Sequence, residues 1–252
     1  MFLRSFLSIT FIAGISVCAA AQAPTPVLVE LFTSEGCSSC PPADEFLRAL
    51  DAKQPIEGTQ LIVLGEHVDY WDDQGWRDIY SDHDLTLRQA VYVNRLGLKS
   101  SYTPQLIVDG SAECSGNDRK RAIDVIEKAR AQAKVPVQIS AARFENGKLR
   151  AHIETGTLPE NGEVFVALAL DHAESQVLRG ENGGHRLEHV AVARNLVKVG
   201  KAGKGATFAK DVEVKAKPPA GPYRVIAFIQ ESSLGKILGG AEKAVTAEKA
   251  TP

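Results

Sequence analysis

The chain has 252 residues, 44% of them apolar, with 29 Lys and Arg against 31 Asp and Glu, a formal net charge of −2. That balance gives no basic face of the kind nucleic acid or an anionic membrane requires, and the apolar content can bury a core of one or two domains. Only three cysteines, Cys37, Cys40 and Cys114, lie beyond the opening segment, which is not the even count of a disulfide framework.

The opening, MFLRSFLSITFIAGISVCAAAQAPTP, carries one cation, Arg4, an uncharged apolar run from Phe6 to Val17, then Ala19, Ala20 and Ala21. This is the pattern of a secretory signal peptide, and the run is short for a membrane span. Cleavage after Ala21 is preferred to cleavage after Ala23, where Pro24 would adjoin the scissile bond. Cys18 raises a lipoprotein reading, ranked second because Val17 is bulky where such a signal wants a small residue. The expectation is a signal peptide over 1–21 and an exported product, periplasmic or secreted, with no membrane association after cleavage. Removal of Arg4 leaves 28 Lys and Arg against 31 Asp and Glu, a net charge of −3. Cys37, Cys40 and Cys114 remain, in a compartment that permits disulfides.

PVLVELFTS is a nearly continuous apolar run, expected as a strand covered on both faces. CSSCPPADEFLRALDAK follows as a helix, with its prolines confined to the first turn and Phe46, Leu47 and Leu50 on one face. A second strand is expected over residues 60–68. A second helix follows in SDHDLTLRQAVYVNRLG, capped by Ser81, Asp82 or Asp84 and closed by Gly97. TPQLIVDGSAEC reads as a hairpin turning on Asp109 and Gly110. A two-residue turn there would pair Val108 with Ser111, Ile107 with Ala112, Leu106 with Glu113 and Gln105 with Cys114. A third helix is expected from about Asn117. From Val135 the pattern changes to alternation, around an Asn146-Gly147 turn and in EVFVALALDH and GPYRVIAFIQE. Residues 22–134 are therefore expected as an α/β domain and 135–250 as a small antiparallel β-sandwich domain.

The spacing Cys37-Ser38-Ser39-Cys40 admits a redox couple, part of a metal site or a structural disulfide. At a helix N-terminus the free N–H groups and the helix dipole lower a thiol pKa. On that footing Cys37 is expected to be the more exposed and nucleophilic thiol and Cys40 the resolver. Glu30 is an acid within an apolar strand, where burial makes it hold its proton. HVDYWDDQGW starts at the C-terminal end of the second strand, the edge where open parallel sheets bind ligands. It supplies His67, Asp69, Tyr70, Trp71, Asp72 and Trp76 as candidate site walls. Arg179, His185, Arg186, His189 and Arg194 form a basic, Gly-rich stretch expected to be a solvated loop.

The ordered set of strand–CxxC–helix, the Thr103-Pro104 pair opening a later strand, and an Asp-Gly hairpin before a last helix resembles the thioredoxin-like fold. The phrases LFTSEGCSSCPPAD, HVDYWDDQGW, YTPQLIVDG and RGENGGHRLEHVAVAR are similar to the exported, thioredoxin-like bacterial family catalogued as domain of unknown function 1223. The resemblance implies a thioredoxin-like α/β domain followed by the β-sandwich. It also implies a cis Pro104 beside the dithiol and Glu30 as proton acceptor for Cys40. From their place at the sheet edge Tyr70, Trp71 and Trp76, with Thr103, are the candidate substrate-binding residues, receiving a peptide or covering the dithiol. The resemblance implies no settled reaction. The expected function is a thiol–disulfide oxidoreductase, or a related dithiol protein, acting on protein thiols or disulfides without a cofactor. The alternatives are a soft-metal protein binding copper through Cys37, Cys40, His67 and Cys114, and a non-catalytic binding module.

Overall fold

The computed structural model describes residues 23–215 and 222–245; the expected signal peptide lies outside them. In chain order the elements are β1 (Thr25–Thr33), α1 (Pro41–Lys53), β2 (Thr59–His67), α2 (His83–Arg95), β3 (Gln105–Val108), β4 (Ala112–Ser115) and α3 (Arg119–Arg130). There follow β5 (Val137–Glu145), β6 (Lys148–Thr155), β7 (Gly162–Gln176), β8 (Arg186–Ala202), β9 (Ala209–Lys215), β10 (Tyr223–Glu231) and β11 (Ile237–Val245).

β1 is buried over Val27–Thr33 because both its faces are covered. Alternation along the strand sends odd residues one way and even residues the other. Thr33 hydrogen-bonds Asp44 of α1 at 3.1 Å, whereas Glu30 bonds Arg88 and Tyr92 of α2. α1 and α2 therefore lie on opposite faces of the sheet. α2 begins at the Asp82 cap, whose carboxylate accepts from Asp84 N, and Gly97 beyond its end has φ +66°.

The expected thioredoxin-like α/β domain with a separate small β-sandwich is corrected. The chain is mostly β, and strands from both halves share one mixed eight-stranded sheet in the order β11-β10-β7-β8-β2-β1-β3-β4. β1 and β2 run parallel, β3 and β4 antiparallel, and β8 joins the outer edge of β2 in parallel at Gly65 and Val192. Gly65 permits this junction: a Cβ there would stand 3.1 Å from the Val190 carbonyl oxygen. The edge expected to end the first domain is thus a seam. β5, β6 and β9 form a second sheet of three strands. Their alternating burial faces Leu149, Ile153, Val212 and Val214 into a core shared with Val164, Val166, Leu168, Val225 and Ile229. Each fully buried side chain of this size contributes about 1.5–3 kcal/mol.

The hairpin register is also corrected, by one residue. The pairs are Val108–Ala112, Ile107–Glu113, Leu106–Cys114 and Gln105–Ser115, so the loop holds three residues. The cause is distant in sequence. Asp109 continues the pairing with β1, donating its N–H to Leu28 O and accepting Leu28 N–H at its carboxylate, while its own carbonyl accepts from Ile237 N.

Candidate functional site

The C-terminal end of β1 runs through Ser34, Glu35 and Gly36 into the dithiol turn. Cys37 N–H donates to Ser34 O and Cys40 N–H to Cys37 O, which folds the turn back so that the two cysteines meet in a disulfide with Cα atoms 5.4 Å apart. Cys40 is the residue capping α1, and Pro41 and Pro42 occupy the first helical positions, where no N–H is needed. Cys37 precedes the helix by a turn. Against expectation it is 1% exposed and Cys40 0%, so neither sulfur is the open one.

The cover comes from the turn between β7 and β8, whose tip was expected to be a solvated loop. Asn182, itself buried, donates its amide to the carbonyls of Glu35 and Cys37 at 2.8 and 3.0 Å. Glu181 accepts the Ser38 N–H at 3.0 Å. On the other side Asn117 donates to Ser39 O at 2.9 Å. Two glycines set the close approaches. A Cβ on Gly36 would stand 3.0 Å from Trp71 Cβ, and one on Gly116 2.9 Å from Ala43 Cβ and 3.2 Å from Pro104 Cβ.

Several expected residues are gathered here. The Thr103–Pro104 bond is cis. Thr103 accepts from Trp71 Nε1 at 2.8 Å, which ties the segment before β3 to the loop after β2. Trp76 Nε1 donates to Glu35 Oε2 at 2.7 Å. Tyr70 is 38% exposed at this edge. Asp69 and Asp72 hold loop geometry instead, through Thr86 and Ser81.

Other expected residues are not gathered. Glu30 projects to the α2 face, away from α1. There it accepts Arg88 Nε and the Tyr92 hydroxyl, both at 2.7 Å, and Gln230 closes the network through Tyr92. Its role as proton acceptor for Cys40 is therefore corrected. Burial, then the Glu30 charge, raise the pKa of the adjacent Glu66 well above the usual carboxylate range. Cys114 packs in the main core as a free thiol, its pKa pushed to about 11 by burial and then by Glu113 and Asp118. His67 is turned to Asp78, at 2.6 Å. Cys37 and Cys40 are thus bonded to each other, His67 is paired with Asp78 and Cys114 is a free thiol, and among the described residues no group of three or more His, Cys, Asp or Glu is arranged to hold a metal ion.

Sequence reasoning missed the polar cluster behind the turn. Glu35, Asp44, His67, Asp78 and His189 are all buried. His189 of β8 lies between two carboxylates, Nδ1 3.7 Å from Asp44 Oδ1 and Nε2 3.5 Å from Glu35 Oε1. Neither ring nitrogen closes a hydrogen bond, nor does Glu35 Oε1. Burial pulls the His189 pKa down, but the two carboxylates outweigh it and raise it to about 10. Burial raises the Asp78 pKa, but His67 and backbone N–H donors outweigh it and hold it at about 2. The His67 and His189 rings meet edge to face at 4.7 Å. The signal was present in two phrases already singled out, TSEGC and GGHRLEH, which lie far apart in sequence.

The model of the family described as "Protein of unknown function (DUF1223)" matches residues 28–230. No curated protein matches at a significant level. A crystal structure of a protein from Agrobacterium tumefaciens is similar, with a TM-score of 0.68 at 28% identity, over 88% of this chain and 95% of that one. The sporulation control protein of Bacillus subtilis has a TM-score of 0.31 at 12% identity, over 46% of this chain and 49% of that one, too low to bear on fold or function.

Proposed function

This chain belongs to the DUF1223 family, and from that premise we propose that it is an exported thiol–disulfide exchange protein whose reacting couple is Cys37–Cys40. The observation that carries the reading is the place of the disulfide. Cys40 caps the N-terminus of a 13-residue helix, where a thiolate is favoured by the positive end of the dipole. A bond closing so short a loop adds less chain-entropy stabilisation than one closing a longer loop, which argues against a purely structural staple.

In the oxidising direction a partner thiolate attacks Cys37 Sγ, the Cys37–Cys40 bond breaks, and Cys40 leaves as a thiolate. A second partner thiolate then attacks its own sulfur in the mixed disulfide and releases Cys37. The partner loses two electrons to the chain and gains a disulfide. Reduced chain and oxidised partner run the reverse. The substrates are protein thiols or disulfides, received along Thr103, Tyr70 and Trp71, and the exchange needs no cofactor. An exported location is the compartment in which such a bond persists.

The test is equilibration of the Cys114→Ser protein in dithiothreitol buffers of graded potential, with thiols counted by mass spectrometry. A reversible two-electron couple in folded protein is expected, and Cys40→Ser should trap mixed disulfides on Cys37. Reduction that occurs only on unfolding would make the disulfide a staple and sink the reading.

A further inference from the structure

The buried imidazole of His189 has a carboxylate on each side, and only one of the two has a route to water. A cleft of about 380 Å³ opens between α1 and β8, with Asp44 and His189 among its lining residues beside Pro41 and Pro42. Arg48 and Glu188, also lining it, form an ion pair across it at 2.7 Å. Glu35 is absent from that lining and is 0% exposed. Its chain position is two residues before Cys37, and its own carbonyl is held with that of Cys37 by Asn182. Asp44 and His189 both line the cleft and Glu35 lies inward of it; the contacts run Asp44 Oδ1 to His189 Nδ1 and His189 Nε2 to Glu35 Oε1, with gaps of 3.7 and 3.5 Å and no competing hydrogen bond on either nitrogen or on Glu35 Oε1.

We infer that Asp44, His189 and Glu35 form a proton relay that takes up, through the cleft, the protons that reduction of Cys37–Cys40 brings into the buried turn. The inference rests on the dithiol reading and deepens it. Two electrons convert the disulfide to two sulfurs that together bind two protons in the dithiol. A partner dithiol supplies the electrons and releases its own protons to solvent, so the buried turn takes its protons from elsewhere. The imidazolium gives its Nε2 proton inward to Glu35 and is left neutral with its Nδ1 proton toward Asp44. A turn of the ring then presents the vacant nitrogen to Asp44, which passes it a proton taken from the cleft water, and the cycle runs once for each of the two sulfurs.

The groups facing His189 are Glu35 from the turn after β1, Asp44 from α1, His67 from β2, with Asp78 behind it, and Tyr80 from the loop that follows. Glu45 and Arg48 of α1 and Arg186 and Glu188 of β8 line the cleft outside it. The upward-shifted His189 keeps the relay loaded with a proton at neutral pH.

The experiment measures the rate of disulfide reduction by dithiothreitol from pH 5 to 9 in the Cys114→Ser protein, normalised to the dithiothreitol thiolate present. His189→Gly should lower the normalised rate about tenfold or more, and added imidazole, entering by the cleft, should restore it. Asp44→Asn should lower the rate in the same way and not respond to imidazole. A normalised rate unchanged in folded His189→Gly, or a loss that imidazole does not restore, overturns the relay. Should His189→Gly not fold, His189→Gln takes its place, and an unaltered pH profile there overturns the relay equally. If the parent disulfide itself resists reduction in the folded state, the dithiol reading has failed; if it reduces readily and the variants match it, only the relay has.

Discussion

The side-chain amide of Asn182 donates to the backbone carbonyl of Cys37 at 3.0 Å, across 145 residues of sequence. The same nitrogen holds the Glu35 carbonyl at 2.8 Å. One buried amide thus pins the tip of the β7–β8 turn to the dithiol turn from both sides of Gly36.

Asn182→Ala is expected to strand two buried carbonyls, at a cost of about 1–3 kcal/mol in denaturant unfolding. It should also open the turn, so that dithiothreitol reduces the couple several-fold faster in stopped-flow. Lost stability with an unchanged rate would mean that this contact does not limit access to Cys37.

Stability should depend on pH in two limbs. His189 keeps its proton in the fold up to about pH 10, while its ordinary pKa is 6.5. Its contribution is fully present below 6.5 and is lost as pH rises towards 10. Asp78 runs the other way. Its pKa is about 2 against an ordinary 3.8, so its contribution is present above 3.8 and is lost as pH falls through 2. Melting temperature against pH should flatten on the alkaline side in His189→Gln and on the acid side in Asp78→Asn. A wild-type alkaline limb surviving in His189→Gln would locate that titration elsewhere.

Arg88 neutralises an acid pair inside the sheet, bonding Glu30 at 2.7 Å with Glu66 at 3.5 Å, and its side chain is 6% exposed. Arg88→Met should cost about 3–5 kcal/mol, because it leaves buried carboxyls without their cation. Adding Glu30→Gln and Glu66→Gln should recover part of that loss in urea unfolding. No recovery would show that Arg88 acts through packing on Tyr92, Phe165 and Phe228, over whose rings it lies.

Cys114 should behave as a core side chain. With its thiol raised to about 11 by burial, iodoacetamide labelling of native protein at pH 8 is expected to be slow and to rise sharply in urea. Cys114→Ala should leave the potential of the Cys37–Cys40 couple unchanged. A shifted potential would place Cys114 in the exchange chemistry.

Local chemistry was legible in the chain. The apolar run of β1, the prolines that can only open a helix, the Asp82 cap, the Asn146-Gly147 turn and the family phrases each rest on neighbours within a few residues, and all are where the sequence puts them. The close-spaced cysteines and the loop rich in tryptophan were found for the same reason. Three expectations failed at the point where a distant element intervened. Asp109 stays in the turn, but its pairing with Leu28 of β1 goes with a hairpin shifted by one residue. A strand buried on both faces does not announce which face an acid takes, and Arg88 on α2 decides it for Glu30. The edge of β2 carries no mark that β8 will pair with it beyond Gly65, a residue that reads as a break until a backbone is seen against it.

By itself the sequence determined the three helices, the strands β1 to β7 and β10, and the dithiol, because backbone propensity and side-chain periodicity act over one or two turns of chain; β8, β9 and β11 were not expected as strands. Only the tertiary structure decided the single sheet, the cover over Cys37 and the Asp44–His189–Glu35 alignment. Those depend on β8 closing against β2, which carries His189 and the tip bearing Asn182 into the interior, where histidines and acids that look solvated along the chain become buried partners.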